Sequence, residues 1–103
     1  MSEHTLVTFH WVGDTAELQE RYNGVLEHVV EVSPARPLVH IAVPADDGFK
    51  VYDLWTDAEI AHQMVDNPAF NLKLADFGLG DPRIEFTTVH RMGWPVSASP
   101  MYR

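Results

Sequence analysis

Asp53 is the residue whose position most needs a chemical reason. It interrupts the mostly apolar run Phe49–Trp55 (FKVYDLW), and a carboxylate buried without a partner is expensive. A desolvated, pKa-raised Asp53 would act as a base or a substrate anchor. Alternatively, it pairs with His40, an arginine or a helix amide and serves structure alone. His10, His40 and His90 stand in runs of strand character, and His62 in a helical one. Of these, His40 ranks first as a proton carrier because of its expected register with Asp53. The chain has six histidines, but none stand at the i, i+4 or other short spacing of a zinc or iron site, so no metal is expected. With no cysteine there is no thiolate nucleophile and no disulfide framework. The Gly-x-Ser-x-Gly pattern is absent. Gly78-Leu79-Gly80 lacks the lysine and the strand-then-helix context of a phosphate loop.

These side chains need elements to hold them. Thr5–Val12 (TLVTFHWV) is β-branched and aromatic, which marks a strand. Val7, Phe9 and Trp11 fall on one face, Leu6, Thr8 and His10 on the other. Asp14-Thr15-Ala16-Glu17 has the form of a helix cap. Leu18, Tyr22, Val25 and Val29 follow at helical spacing, with Leu26 and Val30 widening the stripe. Gly24 inside that helix costs up to ~1 kcal/mol against alanine. Ser33-Pro34 and Arg36-Pro37 end it. Tyr22 points inward, its ring in the core and its hydroxyl within reach of any cavity.

Leu38–Val43 is the second strand, and Asp46-Asp47-Gly48 turns into the third. With Asp47-Gly48 at the centre of a type I′ turn, Ala42 opposes Asp53 and His40 opposes Trp55. His40, Asp53 and Trp55 then share one face. A five-residue loop would instead pair His40 with Tyr52. Thr56 and Glu59 predict a capping box for the second helix, which carries Ile60, Ala61, Met64 and Val65 inward. Asn67-Pro68 interrupts it and supplies a fresh N-cap and first helical position. The continuation bears Phe70, Leu72 and Leu74 and closes around Gly78 and Gly80. Arg83–Met92 is the fourth strand, and Gly93–Arg103 forms a tail.

The 103 residues make one domain (1–103) with no linker. Apolar residues form 46% of the chain, the composition of a globular protein. A formal charge of −8 with only seven scattered Lys and Arg argues against nucleic acid and anionic membrane surfaces. No run reaches the ~18 apolar residues of a membrane span, and the N-terminus lacks a signal pattern. A cytoplasmic protein is expected.

Strand-helix-strand-strand-helix-strand at this length gives a ferredoxin-like α+β fold: an antiparallel sheet in order 4-1-3-2 with both helices on one face. The first, second and fourth strands look apolar on both sides. A second copy packed sheet against sheet would cover the open face, as a homodimer.

The block VYDLWTDAE (Val51–Glu59), a strand ending in Trp55 before a capped helix, resembles the dimeric α+β barrel superfamily, and within it the antibiotic-biosynthesis-monooxygenase-like proteins. The resemblance spans nearly the whole chain as an element order and Asp53–Glu59 as residues. It implies a hydrophobic ligand held between sheet and helices. It also implies oxygenation of a phenolic or anthrone-like molecule with no metal or flavin. A deprotonated, electron-rich ring would react with dioxygen directly, the protein supplying desolvation, orientation and a base. Trp55 matches the family's strand-ending tryptophan. Where monooxygenase members often carry an asparagine four residues earlier, this chain has Val51. Where haem-degrading relatives use a histidine beyond the Asn-Pro break, Lys73 stands.

The resulting expectation is a cofactor-independent monooxygenase-like enzyme for a small aromatic or polyketide-like substrate. His40 and Asp53 form its acid/base pair, and Trp55, Tyr22, Met64, His10 and Phe70 line its pocket. A cyclase or isomerase would need the same base without oxygen. A non-catalytic dimeric ligand-binding protein would use the pocket as packed core.

Overall fold

A computed structural model describes residues 4–32 and 35–90, with the side chains of 29–32 outside that description. The expected inward positions of Val29 and Val30, the helix-ending Ser33-Pro34, and everything from Arg91 through the tail lie outside the described residues. The elements are β1 (Thr5–Val12), α1 (Thr15–Val32), β2 (Val39–Ala45), β3 (Gly48–Trp55), α2 (Ala58–Val65), α3 (Pro68–Asp76) and β4 (Arg83–Thr88). The strands form one antiparallel sheet in the order β2-β3-β1-β4, the ferredoxin-like arrangement expected.

One sheet face carries Val7, Phe9 and Trp11 of β1 and Phe49, Val51 and Trp55 of β3, all buried. Leu18, Tyr22 and Val25 of α1, Ala61 and Met64 of α2, and Phe70 and Leu74 of α3 complete the core against it. Burying such side chains stabilises the fold by roughly 1.5–3 kcal/mol each before entropy is counted.

Local chemistry fixes where the helices begin and end. The Asp14 carboxylate accepts from the Glu17 amide at 2.9 Å, capping α1. For α2 the cap is Asp57, whose carboxylate accepts from Ile60 N–H at 2.8 Å. The start therefore falls one residue after the Thr56/Glu59 box, because Asp57 holds the extended backbone of an N-cap. Asn67 caps α3 by accepting from Ala69 and Phe70, with Pro68 as its first residue. At the far end Leu79 N–H bonds Leu74 C=O and Gly78 N–H bonds Ala75 C=O. That is a Schellman closure, with Gly78 at φ +81°.

Gly24, unfavourable in a helix on propensity alone, has a packing reason. A Cβ there would stand 2.9 Å from the Phe77 ring, so the glycine lets α1 approach the end of α3.

The β2–β3 hairpin departs from the expected register by two residues. Ala45 pairs with Gly48, leaving Asp46-Asp47 as the loop, and His40 lies opposite Asp53 rather than Trp55. No non-glycine among the described residues has positive φ, so this turn is not type I′. Gly48 is required for a different reason: a Cβ there would sit 1.9 Å from the Trp11 carbonyl oxygen. The turn is pressed onto β1 and α1 by Gly13 N–H to Asp47 C=O (2.9 Å) and Thr15 Oγ1–H to Ala45 C=O (2.8 Å). Gly48→Ala should therefore destabilise by about 1–3 kcal/mol, the usual range for local backbone strain. Chemical denaturation checks this, and an unchanged midpoint would mean the close approach is not real.

Two further differences concern the sheet edges. β2 runs on through Pro44 to Ala45, tolerable because β2 is an edge strand. β4 stops at Thr88, and its outward residues Arg83, Glu85 and Thr87 are polar, so it is not apolar on both sides as its sequence suggested. The apolar part of the open face lies on β2 and β3 (Val39, Ile41, Val43, Tyr52 and Leu54) with Leu6 of β1 beside it. Ile41 is 51% exposed there.

Candidate functional site

Three elements bring three polar side chains to one point on the helix-covered face of the sheet. Opposed residues on antiparallel strands point to the same side, so the His40–Asp53 pairing of β2 and β3 places both under α1. Tyr22 descends from the buried stripe of α1. The resulting contacts are Tyr22 Oη with His40 Nε2, and His40 Nδ1 with Asp53 Oδ1. A carboxylate only accepts, so Nδ1 carries the proton and Nε2 of the neutral imidazole accepts from the Tyr22 hydroxyl. The Tyr22 and His40 rings lie nearly parallel, 5.9 Å between centroids.

The environment is graded. Asp53 is 9% exposed, whereas the His40 side chain is 34% exposed at the edge strand. The hydrogen bond that His40 donates to Asp53, together with the negative charge of Asp53, raises the His40 pKa above 6.5 against an opposing effect of burial. Burial, then the charge of Asp53, raises the Tyr22 hydroxyl above 10.0. Tyr22 therefore rests as a phenol, and His40 is a stronger base than a free imidazole.

That geometry sets a sign for stability against pH. A folded-state histidine with a raised pKa contributes stability that is complete below the unfolded value and fades as pH climbs through the folded one. The protein should lose stability on going upward from about pH 6.5, and Asp53→Asn should remove that slope. Melting temperatures of both forms from pH 5.5 to 9 provide the check. Parallel profiles would separate His40 from Asp53.

Beside the relay is an apolar cleft of about 40 Å³, lined by Trp11, Tyr22, Val25, Leu26, His40, Val51, Phe70 and Leu74. Of the expected wall residues, Tyr22 and Phe70 are there. Trp55 and Met64 are buried elsewhere in the core, and the Trp55 indole N–H has no acceptor among the described residues. His10 lies on the opposite face of β1, where its Nε2 contacts Asp47 Oδ1 at 2.9 Å, so it cannot reach the cleft. His62 stacks on Phe86 with centroids 3.8 Å apart. His90 follows the end of β4 instead of lying within it. Among the described residues no group of three or more His, Cys, Asp or Glu could hold a metal.

Trp11, Val25, Leu26, Val51 and Leu74 were missed as cleft residues. A signal existed for two of them: Trp11 alternates with Val7 and Phe9, and Val51 precedes Asp53 by two. Val51 also occupies the place of the asparagine that the family resemblance leads one to expect, so an apolar side chain faces the cleft there.

A scan against models of known protein families finds no match, and a search of curated proteins finds none. Solved structures do match in fold. SnoaB, a cofactor-independent oxygenase from Streptomyces nogalater, superposes with a TM-score of 0.62 at 17% identity, covering 92% of this chain and 99% of SnoaB. A candidate antibiotic biosynthesis monooxygenase from Caulobacter crescentus gives 0.58 at 19% identity, covering 87% and 92%. A conserved protein of unknown function from Bacteroides thetaiotaomicron gives 0.53 at 12%, covering 85% and 96%. The chain thus has the fold of the antibiotic-biosynthesis-monooxygenase-like proteins. No helix among the described residues is long and apolar enough to cross a membrane.

Proposed function

We propose that this chain is a cofactor-independent monooxygenase-like enzyme that oxygenates a small aromatic, phenolic or polyketide-like molecule. The observation that carries the reading is the Asp53–His40–Tyr22 relay ending at an apolar cleft. Fold likeness to an oxygenase adds to it.

The relay can ionise a phenol without a free tyrosinate. A substrate hydroxyl donates to the Tyr22 oxygen as the Tyr22 proton passes to His40 Nε2. The imidazolium that forms is held by Asp53, as a buried carboxylate stabilises a catalytic histidine. The raised His40 pKa favours that direction, and the exposed edge of His40 offers the proton a route to water. The substrate anion, desolvated in the cleft, then gives an electron to dioxygen. Recombination forms a peroxide at the reacting carbon, and loss of water leaves a carbonyl. For a reacting methylene the balance is R₂CH₂ + O₂ → R₂C=O + H₂O.

The reading includes a homodimer. The apolar patch of Val39, Ile41, Val43 and Leu54 faces away from the relay, and a second copy would cover it.

The test is oxygen consumption with dithranol, a 1,8-dihydroxyanthrone, in buffer stripped of metal by a chelating resin. Catalysed uptake with one O₂ consumed per ketone formed is the expected result. Conversion to an isomeric product without uptake would instead identify a cyclase or isomerase, and absence of both would leave a binding protein.

A further inference from the structure

The cleft beside the relay is too small for the substrate it is asked to receive. At about 40 Å³ it admits a few water molecules at most, whereas small-molecule sites usually run to roughly 300–1,000 Å³. A second hollow, of about 290 Å³, lies at the end of α3, between Asn71, Leu74, Ala75 and the loop Gly78–Pro82. Leu74 belongs to both walls. The two spaces are tied a second way. Trp11, whose ring lines the cleft, donates its indole N–H to the Gly80 carbonyl on the rim of the hollow at 2.7 Å.

We propose that the hollow behind Leu74 seats the far end of an elongated phenol whose hydroxyl meets Tyr22, and that Leu74 sets how long that substrate is. The inference rests on the oxygenase reading for the role of the hydroxyl. Leu74 is a buried side chain standing between the two spaces, so turning it joins them. The polar groups of the hollow decide the chemistry of the far end. Asn71 donates one Nδ2–H to Val65 C=O at 3.0 Å. The Gly78 carbonyl takes a hydrogen bond from Arg21 Nη1 at 3.2 Å, and the Gly80 carbonyl takes the one from Trp11. Asp81 is exposed on the rim, and Arg21, held to the Gly78 carbonyl, brings a guanidinium to the same rim. A carboxylate at the far end of the substrate meets the like charge of Asp81 and the opposite charge of Arg21, so a neutral group is the better match.

The experiment compares binding of phenol, 4-phenylphenol, 4′-hydroxybiphenyl-4-carboxamide and the matching 4-carboxylate by calorimetry, separately from any turnover. Ala75→Trp fills the hollow from its exposed side without touching the core. It should weaken the biphenyl ligands about tenfold or more and leave phenol unchanged. Leu74→Ala, which opens the cleft into the hollow, should tighten the biphenyls relative to phenol by a similar factor. Asp81→Asn should strengthen binding of the carboxylate relative to the carboxamide. If Ala75→Trp lowers phenol and 4-phenylphenol affinity alike, or neither, the seat is wrong. The oxygenase reading stands or falls separately, on whether dithranol consumes oxygen. Long ligands that bind in the hollow without turnover would keep the seat and remove the chemistry.

Discussion

Oxygen uptake should fall by about 10²–10⁴-fold in His40→Ala, the range associated with losing a positioned general base. The variant does more than remove a base, however. It leaves Asp53, 9% exposed, without the imidazole N–H that it accepts from, and an orphaned buried acceptor costs about 1–3 kcal/mol or more when charged. Loss of activity in His40→Ala alone would therefore be ambiguous between chemistry and folding. His40→Gln separates them, because its amide can still donate to Asp53 but accepts no proton near neutral pH. The expected pattern is a melting temperature close to wild type in His40→Gln with the same loss of rate. Tyr22→Phe should lose most of the rate too, since the substrate proton then has no bridge to Nε2. Groups acting in series are not additive, so Tyr22→Phe combined with His40→Gln should be no slower than the worse single variant. Independent, multiplying losses would show that Tyr22 and His40 do not act in series, and the relay would be abandoned.

How much of this could be read from the chain depends on which interactions are local. The turn before β3 is instructive. Asp47-Gly48 looks like a type I′ centre, and the glycine is indeed indispensable, but for its closeness to the Trp11 carbonyl and not for a left-handed turn. That contact is between residues far apart in sequence, which no local turn rule contains. The register consequently moved by two residues. Because strand side chains alternate with period two, a shift of two keeps every residue on its face, whereas a shift of one reverses them all. His40 and Asp53 were thus placed together on a register that was wrong in detail. Tyr22 was legible in the same way, from the helical stripe of Leu18 and Val25. His10 was expected at the pocket wall, although the same alternation sets it on the face opposite Phe9 and Trp11, where the structure has it. What the sequence did not reveal was long-range packing. Leu74 reads as one more apolar helix position, and its place between two hollows exists only once the loop Gly78–Pro82 folds back onto Trp11. Trp55 at the end of its strand suits a pocket wall and the core under the second helix alike, and in the fold its indole is core.

The outer face of the sheet leads to the second large effect. Val39, Ile41 and Val43 are 45%, 51% and 37% exposed on an edge strand, next to Tyr52 and Leu54 of β3. Monomeric proteins seldom leave such a contiguous apolar strip in water, and an edge strand that does so invites association. The polar outer face of β4 makes the strip off-centre. A two-fold partner is accordingly expected over β2 and β3, not over the middle of the sheet. Ile41→Lys puts a charge in the centre of that contact. A buried unpaired ammonium is prohibitive, so the variant should be monomeric at concentrations where the wild type is a dimer. Ile41 is flanked by residues on the relay's strand but points the other way, with Tyr52 as its opposed neighbour. The Tyr22–His40–Asp53 contacts should survive, and the pH slope of stability with them. Sedimentation velocity at 1–50 µM decides it. A wild-type chain that sediments as a monomer across that range removes the sheet-to-sheet dimer, and the exposed strip on β2 would then need another occupant.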